Sequence, residues 1–217
     1  MTTLKKSLRT RIKRLPERGS FDRKLAHAIL DEGLICHVGF ALDNQPFVLP
    51  MAYARQDDDV LIHGSIASRL LNTLSEGVDC CVTVTLLDGL VLARSVFHHS
   101  MNYRSLVAFG RAELVVDEAD KMTALERIVE HIVPGRSAEA RGPDRKELAT
   151  THVLRFPLEE ASIKMRTGPP GDAKKDMALP VWAGVIPLSI EAGIPERDPA
   201  QGEAHPTPSY ASNYRRA

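Results

Sequence analysis

The chain contains few of the features that mark several protein classes. Its three cysteines, Cys36, Cys80 and Cys81, form no CxxC pair, which argues against a zinc ribbon or a redox dithiol. An odd cysteine count without framework spacing is typical of a reducing compartment, so we expect a cytoplasmic protein. No apolar run approaches the ~20 residues that cross a bilayer. The start of the chain also lacks the apolar region of a secretory signal, so we expect no membrane partner.

The chain also lacks an excess of charge of either sign. It has 28 basic and 28 acidic side chains, which argues against a nucleic-acid-binding protein because such proteins usually carry a basic excess. The charge is nevertheless uneven, since the first fourteen residues hold six basic side chains and no acidic one. We expect residues 1–14 to form a mobile basic arm, with a targeting peptide or a contact to an anionic surface as the alternatives. The six are Lys5, Lys6, Arg9, Arg11, Lys13 and Arg14.

No common catalytic or metal-binding set is visible. The sequence has no GxSxG elbow and no metalloprotease motif. Asp117 and Asp120 suit helix capping better than paired acid–base chemistry. His98 and His99 are adjacent and face opposite sides of a strand, and no carboxylate or cysteine near His63 has ligand spacing. We therefore predict no catalytic residue by name and no metal ligand.

Hydrophobic periodicity predicts a mainly β, α+β fold. Apolar residues alternate from Leu34 to Phe40, from Phe47 to Tyr53 and from Val78 to Leu86. Helical spacing follows Ser65 and again follows Asp117. The first strands are joined too tightly for parallel crossovers, so the pattern predicts an antiparallel barrel of about six strands with flanking helices. We assign residues 15–190 to this domain and residues 191–217 to an extended or disordered arm, because proline and polar residues dominate there.

A first candidate site is the segment LIHGSIASR, in which a strand ends, turns on Gly64 and opens a helix. The first turn of a helix presents unpaired backbone N–H groups and the positive end of the helix dipole. Ser65, Ser68 and Arg69 add hydroxyls and a cation, which together predict a phosphate site. The competing interpretation is that these residues only cap the helix. His63 is either a cofactor contact or a satisfied core histidine.

A second candidate site is the segment FHHSMNYRS, which gathers Ser100, Asn102, Tyr103, Arg104 and Ser105 at the mouth of another strand. Lys164 and Arg166 form a basic pair at alternating strand positions, for which a solvated strand face is an equally good interpretation. Trp182, the only tryptophan, fits core packing, interface packing or a cofactor contact.

Taken in order, HGSxxSR, TLLDGLVLARSVFHHSMNYRSLVAFG and PVWAG resemble the pyridoxamine 5'-phosphate oxidase-related flavin-nucleotide-binding family, which includes relatives of the nitroimidazole-resistance reductases. The resemblance covers roughly residues 15 to 190. It implies an FMN-binding split β-barrel of Greek-key type, with the cofactor at a homodimer interface. FAD, a deazaflavin and haem are the alternative cofactors.

The resemblance also implies roles for individual residues. Ser68 and Arg69 match the first two residues of the family's serine–arginine–lysine motif, but Leu70 replaces the lysine, so we expect Arg104 or Lys164 to supply the second phosphate cation. Trp182 lies where the family often places an aromatic residue of the partner subunit. The predicted cofactor-binding residues are His63, Gly64, Ser65, Ser68, Arg69, Asn102, Tyr103, Arg104, Ser105, Lys164 and Trp182.

The function that follows is a flavin-dependent oxidoreductase acting on a small, flat molecule, in which the flavin carries the redox chemistry. The alternatives are a binding protein without turnover, holding flavin or haem as a carrier, and a deazaflavin-dependent reductase. The tail SYASNYRRA does not match the basic segment with which the oxidase grips its vitamin substrate, so we do not expect pyridoxamine phosphate to be the substrate. The expected partners are a small-molecule substrate and a second copy of the chain.

Overall fold

A computed structural model describes residues 3–201 and 205–216. Within these ranges the chain forms ten strands and five α-helices. The strands are β1 Gly19–Ser20, β2 Ile35–Leu42, β3 Gln45–Gln56, β4 Asp59–Ser65, β5 Asp79–Leu92, β6 Ser100–Arg111, β7 Glu113–Leu114, β8 Thr151–Pro157, β9 Glu160–Arg166 and β10 Gly184–Pro187. The helices are α1 Arg23–Glu32, α2 Arg69–Ser75, α3 Glu118–Ile132, α4 Arg145–Ala149 and α5 Ser209–Ser212.

The strands form one antiparallel sheet in the order β1-β9-β6-β5-β2-β3-β4-β8-β7, with β10 added beside β5. The order does not return to its first strand within the described residues, so the sheet is not closed. This architecture confirms the predicted mainly β split barrel with flanking helices. The structure has more than six strands for two reasons. β1, β7 and β10 are only two to four residues long, too short to show alternation, and the last predicted strand divides near Pro157 into β8 and β9.

The barrel divides where β3 changes partners. β3 pairs with β2 over Gln45–Ala52 and with β4 over Tyr53–Gln56. Beyond Ile62, β4 continues beside β8 alone, through His63–Ser65. β3 and β4 therefore separate, and one edge of Gln45–Ala52 has no partner strand in the described part of the chain. We call this opening, between residues 45–52 and 63–65, the fork.

Two prolines occupy the unpaired edge of β3. Asp43 and Asn44 both have positive φ, near 50° and 60°, as a two-residue hairpin turn requires. The residues that flank such a turn form a hydrogen-bonded pair, and the pairs then alternate along the ladder. Pro46 and Pro50 fall at non-hydrogen-bonded pairs with β2, where a residue has no N–H bond to the neighbouring strand. The ladder therefore loses no hydrogen bond to either proline.

The core lies between the inner face of the sheet and helix α1. Cys36, Val38 and Phe40 are buried as the alternation predicts. Tyr53 is fully buried, and its hydroxyl donates a 2.7 Å hydrogen bond to the Leu30 carbonyl near the end of α1. A second, smaller core under α3 comprises Ala54, Leu61, Ala124, Ile128 and Val153.

Gly33 closes helix α1 at a point where no side chain fits. A Cβ at this position would lie 2.6 Å from the Tyr53 hydroxyl oxygen and 2.7 Å from Val84 Cγ1. The Gly33 carbonyl also lies 2.7 Å from His131 Nε2 on α3. Burial lowers the pKa of His131, which favours the neutral imidazole as the donor of this hydrogen bond.

Both terminal segments contact the barrel where they are described. Leu4 is buried in the main core, and the Lys5 amide donates to the Glu159 carbonyl at 2.9 Å. At the other end, the Tyr214 hydroxyl donates to the Ile132 carbonyl at 2.8 Å. The Arg216 guanidinium donates to the Glu32 carbonyl at the end of α1 and to the His131 carbonyl at the end of α3. The limits assigned to the domain and its arms stay predictions. No helix in the described ranges is long and apolar enough to span a membrane.

Candidate functional site

The serine–arginine segment lies at the fork. His63, Gly64 and Ser65 complete β4, and the helix begins at Arg69. The prediction that the helix starts at Ser65 is wrong because Ser65 still pairs with Thr151 of β8. The Ser65 side chain accepts the Ala67 amide at 3.1 Å, and Ser68 is the N-cap of α2.

Arg69 reaches from α2 to the opposite strand of the fork. Its guanidinium lies over the Phe47 ring, 4.5 Å from the ring centre, which is a cation–π contact. The Arg69 and Ser65 side chains are exposed. Beneath them Gly64 allows α2 to approach closely, since a Cβ there would lie 2.9 Å from Leu71 Cδ1. Hydroxyls and a cation thus stand together at the fork, as an anion site requires.

His63 carries an unsatisfied group next to this segment. Its Nδ1 is buried and has no hydrogen-bond partner in the described structure. Desolvation lowers the pKa of His63, so the ring is held neutral at neutral pH. Buried polar atoms without partners are uncommon in folded proteins, so this nitrogen marks a place where a bound molecule would complete the contacts.

The second predicted group is occupied by contacts within the chain. Asn102 donates to the Gly168 carbonyl at 3.1 Å and accepts a hydrogen bond from Arg166. Arg166 also donates to the Pro169 carbonyl at 2.8 Å. These bonds fix the loop that follows β9. Asn102 therefore positions a loop, a role that the sequence did not indicate.

Arg104 has two carboxylate partners. Its guanidinium lies 2.7 Å from an oxygen of Glu32 at the end of α1 and 2.7 Å from an oxygen of Asp88 in β5. Hydrogen bonds to both carboxylates raise the pKa of Arg104 above its usual range. Because two carboxylates already neutralise it, Arg104 is a weaker candidate for the second phosphate cation than the sequence suggested.

The remaining predicted residues lie near the ends of β6, β9 and β10. Lys164 Nζ donates to the Arg14 carbonyl at 3.1 Å, and the Ser105 hydroxyl donates to the Lys164 carbonyl at 3.2 Å. Tyr103 is half-buried between Leu87 and Arg166 in the sheet. Trp182 is 66% exposed, and its ring lies against Gly184 at the start of β10.

The predicted residues thus form two groups within one chain. The first, at the fork, comprises His63, Gly64, Ser65, Ser68 and Arg69, and the second comprises Asn102, Tyr103, Arg104, Ser105, Lys164 and Trp182. Three strands lie between β4 and β6 in the sheet order. No hydrogen bond or ion pair joins the two groups in residues 3–201 and 205–216. Phe47 is an addition at the fork, which the sequence indicated only as an alternating strand residue.

The unclosed antiparallel barrel, divided at the fork, places the chain among the split-barrel proteins. The family model described as pyridoxamine 5'-phosphate oxidase matches residues 22–165. The chain belongs to this family.

Two solved structures are similar over nearly the whole chain. The flavocytochrome Anf3 from Azotobacter vinelandii is 41% identical, with a TM-score of 0.91, and the match covers 97% of this chain and 98% of that one. The FAD and haem binding protein from Mycobacterium smegmatis is 36% identical, with a TM-score of 0.86, covering 89% and 95%. A putative 5-nitroimidazole antibiotic resistance protein from Bacteroides thetaiotaomicron, 22% identical with a TM-score of 0.56, covers 66% of this chain and 83% of that one, and shares the fold. No curated protein matches this chain.

Proposed function

We propose that this protein is a flavin-dependent oxidoreductase that also binds haem. The observation that carries the proposal is similarity over 97% of the chain to a flavocytochrome and over 89% to an FAD and haem binding protein. Both relatives carry haem by their names, which favours haem together with flavin over flavin alone or a deazaflavin. FAD is the proposed flavin, and FMN is the alternative to be tested.

The fork suits the flavin. Ser65, Ser68 and Arg69 would hold the anionic phosphate through two hydroxyls and a guanidinium. The unpaired edge of residues 45–52 offers backbone donors and acceptors for a flat heteroaromatic ring. The flavin supplies the electron-transfer chemistry when bound, and the chain supplies binding and orientation.

Two histidines would offer a ligand to the haem iron. Iron takes a neutral imidazole nitrogen. His63 fits this requirement because burial keeps it neutral and its Nδ1 lacks a partner. His37, exposed on the outer face of β2 opposite Pro50, is the second candidate.

The absorption spectrum of the isolated protein, with mass spectrometry of the released ligands, tests the proposal. We expect a flavin band and a haem Soret band, and FAD as the released nucleotide. The variants His63→Ala and His37→Ala then identify the iron ligand, because loss of the ligand shifts or abolishes the Soret band. A colourless protein that binds neither cofactor on titration would contradict the proposal.

Arg69→Ala is expected to weaken flavin binding about 10–100-fold, since a hydrogen bond to a charged group contributes ~1.5–3 kcal/mol. Fluorescence titration of the apoprotein with FAD measures the change. Arg145→Ala is the matched control. Like Arg69, Arg145 is exposed and is the first residue of a short helix, but the N-cap before it is acidic, Asp144. Equal affinities in the two variants would remove Arg69 from the phosphate site.

We further propose that two copies share the site, so that the fork of one copy meets the second group of its partner. The outer face of β2 and β3 supports this arrangement. Ile35 is 48% exposed and Val48 is 65% exposed, and His37 and Pro50 lie between them without a charged side chain. Apolar surface of this kind usually marks an interaction site.

Val48→Glu is expected to convert the dimer to a monomer, because it places a charge on the apolar face. Sedimentation velocity measures the state, and flavin content measures the shared site. Ile194→Glu is the control, since Ile194 is 93% exposed in the C-terminal segment. A wild-type protein that sediments as a monomer would count against the shared site.

A further inference from the structure

The basic N-terminal segment has no role in the site described above. Residues 3–18 carry seven basic side chains and one acidic side chain, Glu17. Arg9 is paired with Glu160, but Lys5, Lys6, Arg11, Lys13 and Arg14 are also exposed. The buried side chain of Leu4 and the Arg9–Glu160 ion pair attach the segment to the barrel, so its charges lie against the barrel surface.

This surface contains an apolar groove of about 600 Å³. Leu8, Ile12, Pro16 and Phe21 supply most of its apolar lining, and no acidic residue lines it in the described structure. Leu8 is 87% exposed at the groove, whereas Leu4 of the same segment is buried. Lys6 lies over the Phe21 ring at 4.9 Å, so positive charge borders the groove directly. We call residues 3–18 with Phe21 the basic groove.

The basic groove is joined to the second group of cofactor residues. The Arg14 carbonyl accepts the Lys164 ammonium at 3.1 Å, and Gly19, one residue beyond the segment, pairs with Lys164 in the sheet. Ser105 bonds the carbonyl of the same lysine. In the shared site proposed above, a molecule bound in the basic groove of one copy therefore lies beside strands that would line the flavin held at the fork of the other copy.

We propose that the basic groove is the docking face for an acidic electron-carrier protein that delivers electrons to the bound flavin. This proposal rests on the proposed function, because it names the reductant of the same site. Complementary charge steers association and fixes orientation. A protein partner can insert an apolar side chain into the groove, whereas a flat bilayer surface cannot fill it. Each encounter oxidises the carrier by one electron and passes that electron to the flavin, so two encounters, with protons from solvent, complete the reduction.

The test uses the full-length protein and reduced flavodoxin, an acidic electron carrier, as the probe. Anaerobic stopped-flow absorbance measures flavin reduction at low and at high salt. The variant Arg11→Glu with Lys13→Glu is expected to lower the second-order rate constant about tenfold or more at low salt, because steering changes association rates by ~10–1,000-fold. Added salt is expected to bring variant and wild type together, since it screens exposed charges.

Arg145→Glu with Lys146→Glu is the matched control, because it makes the same change in net charge on exposed residues of α4. We expect this control to keep the wild-type rate and dithionite to reduce all three proteins equally. Equal flavodoxin rates in both variants would overturn the proposal. A second outcome would also overturn it. If the Arg11 and Lys13 variant lost binding to phosphatidylglycerol vesicles but was still reduced by flavodoxin at the wild-type rate, the groove would be a membrane contact.

A protein without flavin would overturn the proposed function separately. Flavodoxin binding to the immobilised apoprotein then decides the docking claim directly. Binding that the Arg11 and Lys13 variant loses and the control keeps supports the docking face. Binding that is absent from wild type, or the same in all three proteins, overturns it.

Discussion

Replacing Arg104 with leucine is expected to lower the free energy of unfolding by about 2–3 kcal/mol. This is less than the ~3–5 kcal/mol lost when one partner of a fully buried ion pair is removed, because the network is partly exposed. The Arg104, Glu32 and Asp88 side chains are each only about a quarter exposed, at 25%, 28% and 28%. Without the guanidinium, two carboxylates at the end of α1 and in β5 face each other without a cation. Urea denaturation measures the loss.

Two further variants separate this explanation from a packing effect. Adding Glu32→Gln and Asp88→Asn to the Arg104→Leu protein is expected to recover part of the stability, because the uncompensated charges disappear. Arg111→Leu is the control, since Arg111 and its partner Asp79 are 65% and 63% exposed. Exposed pairs contribute little to stability. If Arg104→Leu were no more destabilising than Arg111→Leu, the network would not support the fold.

Gly33→Ala is expected to destabilise the protein by about 2–3 kcal/mol, within the range found for overpacked cores. The added methyl group would lie within 2.7 Å of both the Tyr53 hydroxyl oxygen and Val84 Cγ1. Neither neighbour has space to move, because both are buried and the Tyr53 hydroxyl is bonded to Leu30. Thermal and urea unfolding check the result.

Gly171→Ala is the control for this substitution, because nothing lies within 4 Å of the added carbon. Tyr53→Phe tests the cause, since it removes the hydroxyl that the methyl group would meet. In the Tyr53→Phe background, Gly33→Ala is expected to cost less than in the wild type. An equal cost in both backgrounds would show that the Tyr53 contact is not the source.

Periodicity was sufficient to predict the architecture, and local signals placed some boundaries wrongly. Asp88-Gly89 reads as a turn that ends β5. In the structure the strand passes through an irregularity between Leu87 and Gly89 and continues to Leu92. The reason is β10, which packs so closely that a Cβ at Gly89 would lie 3.0 Å from the Ile186 carbonyl. A pairing with a strand almost a hundred residues away leaves no local trace in the sequence.

The site residues were predictable only where their contacts are local. Ser65, Ser68 and Arg69 lie within five consecutive residues, from the end of β4 to the start of α2, so their proximity follows from the sequence. The partners of Arg104 come from α1 and β5, at sequence separations of 72 and 16 residues, and no pattern in the chain joins them. Phe47 meets Arg69 only because β3 and β4 diverge, which depends on the sheet topology.

Pro46 and Pro50 have a consequence for the behaviour of the protein at high concentration. A strand edge that is open along residues 45–52 would ordinarily recruit a foreign strand and start polymerisation. Both prolines direct a carbon instead of an amide proton outward, so an incoming strand cannot complete its ladder. The barrel can therefore keep its seam accessible to a small ligand without becoming a template for aggregation.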